Sequence, residues 1–226
     1  MSDTPTIPIV FRPTEASVAE ANVTRLMQKA GVDSFDALHA WSVEDIGRFW
    51  DTALEDLGLS WYEPYEQTYD VSDGFPWARW FLGGRTNIVL NCLDRHVEGG
   101  RGDAEAVRGE GDDGETRSLS YAELRDEVNR LAGLLRELDV APGDRIGIYM
   151  PMVPEVMIAL FACFQVGAVA IPVFSAFGSE ALAVRLEDAG AVLLFTADGG
   201  FRRGKAAAIK PAADAAVAQV ASVRHQ

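Results

Sequence analysis

Cysteine, histidine and lysine are all scarce in this chain, and each shortage excludes something. Two cysteines, Cys92 and Cys163, among 226 residues cannot form a disulfide framework, and they fit a reducing compartment, so a cytoplasmic protein is expected. His39, His96 and His225 lie far apart, without Cys or carboxylate at metal-ligand spacing, so no metal residue is expected. The 21 Gly and 10 Pro show no period, which excludes a collagen-like chain. No basic stretch followed by an apolar core opens the sequence, so no secretory signal is expected. The phosphate-cradling pattern G-x-x-x-x-G-K-[ST] is also missing.

Acid is what the chain has in excess. It carries 34 Asp and Glu against 20 Lys and Arg, a formal net charge of −14, which argues against a nucleic-acid partner. Only Lys29, Lys205 and Lys210 are lysines, and such a Lys-poor acidic surface suits solubility at high salt, where self-repulsion is screened. The imbalance is uneven. Residues 199–226 hold five basic residues (Arg202, Arg203, Lys205, Lys210, Arg224) and the single acid Asp214, leaving −18 on residues 1–198. A positive segment on an acidic protein should face a small anion or a charged partner.

With 48% hydrophobic and 24% charged residues the composition is that of a folded protein. Residues 1–97 read as an N-terminal arm, helical over 14–58 with caps at Thr14, Ser34 and Ser42, the last paired with Asp45 as a capping box. The aromatic stretch Trp41–Trp80 reads as irregular chain laid over something apolar, and a further helix is expected over Asn87–His96. The second part, residues 98–226, becomes regular in pattern from residue 104. Ala104–Gly109 and Thr116–Leu119 form a hairpin, and the capping box Ser120-Tyr-Ala-Glu123 opens a helix to about Leu138. Its buried face is Tyr121, Leu124, Val128, Leu131, Leu135 and Leu138. Then follow strand 145–149, helix 154–166, strand 168–173, helix 179–189, strand 191–196 and helix 203–219. This alternation predicts an α/β fold whose doubly wound, mainly parallel sheet is flanked by helices. The uncharged segment Val156–Phe174 is long enough for a membrane helix, but Gln165 and Gly167 break it into a buried helix and a buried strand, so no membrane span is expected.

Gly109-Glu-Gly-Asp-Asp-Gly114 matches the dinucleotide fingerprint in letters. Its context is wrong, because a strand follows where a helix is needed and its acids would repel phosphate. A solvated hairpin turn is the reading adopted. Cys92 and Cys163 read as core packing, and Asp94-Arg95-His96 as an exposed helix end with local ion pairs. Two loops remain, both beyond the carboxyl ends of parallel strands, where ligands of open α/β sheets collect. Phe174-Ser-Ala-Phe-Gly178 offers aromatic faces and small residues, and Asp198–Lys205 offers cations at an expected helix start, where backbone N–H groups favour an anion. From composition alone, a core pair of rings and a solvated helix end is an equal reading.

At these residues the sequence resembles the N-terminal part of the AMP-forming acetyl-CoA synthetases and related short-chain acyl-CoA synthetases. The resemblance rests on Trp80-Phe-Leu-Gly-Gly-Arg-Thr-Asn87, Asn91-Cys-Leu-Asp-Arg-His96, Leu119-Ser-Tyr-Ala-Glu-Leu124, Gly143-Asp-Arg-Ile-Gly-Ile-Tyr-Met-Pro-Met152, Pro154-Glu155, Gly167-Ala-Val169 and the two loops. It implies adenylation of a short carboxylate by ATP and magnesium, then thioester formation with coenzyme A. It also implies coenzyme A phosphate contacts from Arg202, Arg203, Gly204 and Lys205, and adenine packing near Phe174 and Ala176. Two departures stand out. The family's Phe-Gly-Gly-Phe is here Phe174-Ser-Ala-Phe177, and Lys205 stands where Arg is common. The family's Ser/Thr/Gly-rich phosphate loop, acidic ATP and magnesium residues and mobile C-terminal lysine match nothing in the chain. The expectation is therefore an incomplete first α/β portion of the large domain. It would be about the first third of a synthetase, without catalytic residues and inactive alone, completed by a separately encoded remainder if split. The alternative is a stand-alone, non-catalytic module that binds coenzyme A or a nucleotide.

Overall fold

The computed structural model describes residues 10–112, 114–202 and 204–226. By its internal packing the chain divides into two compact units, Met1–Thr86 and Asn87–Gln226.

Four helices lead the first unit: α1 (Glu15–Glu20), α2 (Asn22–Ala30), α3 (Phe35–Glu44) and α4 (Ile46–Leu57). Thr14 and Ser34 cap α1 and α3, their hydroxyls accepting from the Ser17 and Ala37 amides. Ser42 is not a cap. It lies inside α3, where its hydroxyl donates to the His39 carbonyl, and Asp45 itself caps α4 by accepting from the Arg48 amide. The aromatic stretch contains an antiparallel pair, β1 (Gln67–Asp70) and β2 (Arg79–Leu82), with Tyr69 opposite Trp80. Some of its rings cover one another, Trp50 meeting Trp80 edge-on at 6.0 Å and Tyr69 lying 4.5 Å from Trp80, whereas Phe75 and Trp77 are exposed instead of laid over an apolar surface.

The second unit opens with wide helical turns over Leu90–Asp94 and Val97–Arg101, kinked at Gly100. Its hairpin pairs β3 (Glu105–Glu110) with β4 (Thr116–Ser120), so Gly109–Gly114 spans a strand end and its turn. Asp113 lies outside the described residues. Helix α5 (Tyr121–Glu137) starts from the expected capping box, in which the Ser120 hydroxyl accepts from the Glu123 amide and the Glu123 carboxylate accepts from the Ser120 amide. Leu124, Val128, Ala132 and Leu135 form its buried face.

Three parallel strands make the sheet: β5 (Arg145–Tyr149), β6 (Val169–Pro172) and β7 (Leu193–Thr196), in the order β6-β5-β7. Helix α6 (Pro154–Val166) connects β5 to β6, and α7 (Ser179–Ala189) connects β6 to β7. Adjacent residues of β7 serve opposite faces. Leu193 joins the core under α5 and α6, and Leu194 joins the one under α7, as the two-residue period of a strand requires. The uncharged segment resolves into α6 and β6, and among the described residues no helix is long and apolar enough to cross a membrane.

One expected helix is replaced at its start. Instead of a helix from residue 203, β8 (Gly199–Arg202) and β9 (Lys205–Ala208) form an antiparallel hairpin, and α8 covers only Lys210–Val217. Pro211 sits in the first turn of α8, where its missing N–H costs nothing, and Ile209 just before it is buried in the core under α7.

Candidate functional site

Strand order reverses at β5, because the connection through α6 leads to one side of it and the connection through α7 crosses to the other. The carboxyl ends of the three strands around that reversal are where an open parallel sheet offers a crevice. Three segments leave the sheet there: Met150–Val153 after β5, Val173–Gly178 after β6, and the β8–β9 hairpin after β7.

Phe174 to Phe177 is a tight turn, closed by the Phe177 amide donating to the Phe174 carbonyl at 3.0 Å. Neither Ser175 nor Ala176 has a positive φ, so ordinary L-residues adopt this backbone and glycine is not needed for its shape. Phe174 is 62% exposed, and its ring stands at 89° to that of Phe177 with centroids 5.7 Å apart. Ala176 is exposed beside it.

Arg202 and Lys205 are the last paired residues of the β8–β9 hairpin. Arg203 lies outside the described residues, and Gly204 next to it has φ of +70°, the left-handed conformation that tight two-residue hairpin turns demand. The helix-start argument for this loop is therefore corrected: Arg202 and Lys205 belong to paired strands, and α8 begins only at Lys210. Elsewhere in the positive segment charge is answered locally. Lys210 pairs with Asp214, and Arg224 lies 3.8 Å from Asp144. Among the described residues no carboxylate lies within ion-pair distance of Lys205.

Phe174 and Ala176 thus share one turn, and Arg202, Gly204 and Lys205 share one hairpin, following strands on either side of β5. Phe174, Ala176, Gly204 and Lys205 line neither of two cavities at the same end of the sheet. One, of about 410 Å³, is apolar and lies among Leu131, Leu134, Met150, Ile158 and Phe195. The other, of about 320 Å³, lies between the two hairpins and includes Glu110, Asp112, Pro151 and Phe201. Three acids, Glu110, Asp112 and Glu115, line it against the single cation Arg117.

Other titratable groups are structural. Burial pushes the Cys163 thiol up to about 12, so it stays protonated and packs as an apolar group. Asp94 and His96 do not form an exposed helix end; both are half-buried. Burial raises the Asp94 carboxyl and lowers the His96 imidazole, which lies 4.8 Å from the Tyr121 ring. Among the described residues no group of three His, Cys, Asp or Glu could hold a metal ion.

Residue reading overlooked Tyr149 and Arg185. The Tyr149 hydroxyl donates to the Phe177 carbonyl at 2.6 Å, and the Arg185 guanidinium lies 4.5 Å above the Phe177 ring. A polar aromatic residue closing the central strand was the available signal for the first. For the second there was none, since one charge on an amphipathic helix reads as solvated.

Comparison with known proteins agrees along nearly the whole chain. The AMP-binding enzyme family matches residues 93–226, and the acetyl-coenzyme A synthetase N-terminus matches residues 35–92. An acetyl-coenzyme A synthetase of Streptomyces coelicolor is 44% identical over 215 residues, 95% of this chain and 31% of its own length. That of Mycolicibacterium smegmatis is 43% identical over 214 residues, 94% of this chain and 22% of its own. Among solved structures, the acetoacetyl-CoA synthetase from Streptomyces lividans matches with a TM-score of 0.88 and 29% identity, over 95% of this chain and 34% of that one. The chain spans about a third or less of the length of these relatives.

Proposed function

The chain belongs to the AMP-binding enzyme family, and from that premise we propose that it forms the coenzyme A-binding N-terminal part of a short-chain acyl-CoA synthetase. The complete reaction would be ATP, carboxylate and coenzyme A giving acyl-CoA, AMP and pyrophosphate. The observation that carries this reading is the cationic hairpin Arg202–Lys205 on an otherwise acidic chain, at the carboxyl end of a parallel sheet. Arg gives forked contacts to phosphate and Lys a point charge, so Arg202, Arg203 and Lys205 would bind the phosphates, while Gly204 lets the turn close beside them. Phe174, with Ala176 next to it, would offer the adenine an exposed aromatic face.

The residues at hand do not fit magnesium or the ATP phosphates. No acidic cluster for the ion is found among the described residues, and the sequence has no Gly/Ser/Thr-rich loop for the phosphates. No chemical step is therefore assigned to this chain. Alone it binds coenzyme A and makes no acyl-adenylate; the rest of a synthetase would supply ATP and carboxylate binding. We place it in the cytoplasm, in keeping with its two free cysteines.

The test is pyrophosphate release dependent on acetate or propionate, measured on the purified 226-residue chain beside a coenzyme A titration. Binding without turnover is the expected result. Turnover by the chain free of host synthetase, or no binding of coenzyme A, would contradict the reading.

A further inference from the structure

The turn that carries Phe174 is tied at both ends to consecutive residues of the central strand. At its start, the Val173 amide donates to the Ile148 carbonyl at 2.8 Å. At its end, the Tyr149 hydroxyl donates to the Phe177 carbonyl at 2.6 Å. That carbonyl is not taken up by α7, whose first backbone hydrogen bond runs from the Leu182 amide to the Gly178 carbonyl. From the outer side Arg185 covers the Phe177 ring, and Arg185 is itself restrained by donating to the Ala181 carbonyl. The Phe177 ring in turn meets the Phe174 ring edge-to-face.

Tyr149 is 2% exposed, and its ring fills the core under α7 among Val173, Leu182 and Leu194. Phenylalanine would fill that volume equally well. The hydroxyl therefore contributes nothing to the packing; its hydrogen bond goes to the turn. Burial raises the phenol above its ordinary range, so it is a donor at neutral pH.

We propose that Tyr149 is a positioning residue, whose hydrogen bond to the Phe177 carbonyl holds the Phe174–Phe177 turn and thereby sets the angle at which Phe174 meets the adenine of coenzyme A. The ligand half of this inference rests on the coenzyme A reading above; the anchoring half rests on the hydrogen bonds alone. Ser175 and Ala176 make such an anchor useful, because a turn with two side chains at its centre must be held clear of the ligand's path.

The experiment compares the parent chain with Tyr149→Phe, Phe174→Ala and the double variant. Three readouts are taken: thermal midpoint, amide hydrogen exchange over residues 174–178, and calorimetric titration with coenzyme A. Tyr149→Phe should lower the midpoint modestly, as loss of one neutral hydrogen bond implies, speed exchange in the turn, and weaken coenzyme A about three- to tenfold. In the Phe174→Ala background the same change should have almost no further effect on affinity, which a merely structural role would not produce. Parent-like exchange in Tyr149→Phe would overturn the anchoring. Faster exchange with parent-like affinity, while Phe174→Ala binds weakly, would overturn the positioning. If neither variant affects coenzyme A, the adenine assignment of the turn is wrong and the positioning role for this ligand falls with it, whereas faster exchange would still establish the anchor.

Discussion

A Cβ on Gly147 would lie 2.6 Å from Cδ2 of Leu186 and 2.8 Å from Cδ1 of Leu194. Both leucines are almost wholly buried, so neither can retreat into solvent. The missing side chain on the central strand is what lets α7 settle against the sheet. Gly147→Ala should therefore destabilise the second unit by about 1–3 kcal/mol, the usual cost of overpacking a filled core. Urea unfolding checks this; an unchanged midpoint would mean that α7 can shift freely.

The capping box at the start of α5 should show itself in pH dependence. The Ser120 amide, and then its hydroxyl, hold the Glu123 carboxyl below the ordinary carboxylate range. A lowered value in the folded state means that the contribution is present above the unfolded value near pH 4.3 and is lost as pH falls through the folded one. Glu123→Gln should accordingly be less stable than the parent at neutral pH, with the gap closing on acidification. Ser120→Ala should cost about 1 kcal/mol at neutral pH. Chemical denaturation at a series of pH values tests both, and a gap that widens in acid would contradict the assignment.

Much of the second unit was legible because its signals are local. Helices α6 and α7 and strand β5 occupy the residues expected of them, and Ser120 with Glu123 announced the start of α5. The hairpin β8–β9 was not, because the run Lys205–Ala208 is composed of good helix formers and its strand character comes from pairing with Gly199–Arg202. A correct signal was nonetheless present: Pro211 eight residues into the expected helix belongs in a first turn, as it is in α8. Ser42 failed for a related reason, since its hydroxyl found the His39 carbonyl within α3 and left Asp45 to cap α4. Of the site, strand ends and charge led to both loops. Tyr149 escaped notice because its partner Phe177 is distant in sequence, and Arg185 because a single charge on an amphipathic helix reads as solvated.

Salt should stabilise the chain. With −18 on residues 1–198, self-repulsion opposes the compact state in dilute buffer, and added ions screen it over roughly 10 Å at 0.1 M and about 3 Å at 1 M. The thermal midpoint is expected to rise from low to molar KCl. A flat or falling midpoint would remove the case for a high-salt habitat.

The most direct test of the central claim is a titration of the parent and Arg202→Ala with coenzyme A and with dephospho-coenzyme A, which lacks the 3′-phosphate. A charge-assisted contact is worth about 1.5–3 kcal/mol when well made, so Arg202→Ala should weaken coenzyme A roughly ten- to a hundredfold. Dephospho-coenzyme A should bind the parent more weakly than coenzyme A does, and the substitution should leave its affinity unchanged. If Arg202→Ala weakens both ligands equally, or neither, the hairpin does not recognise the 3′-phosphate.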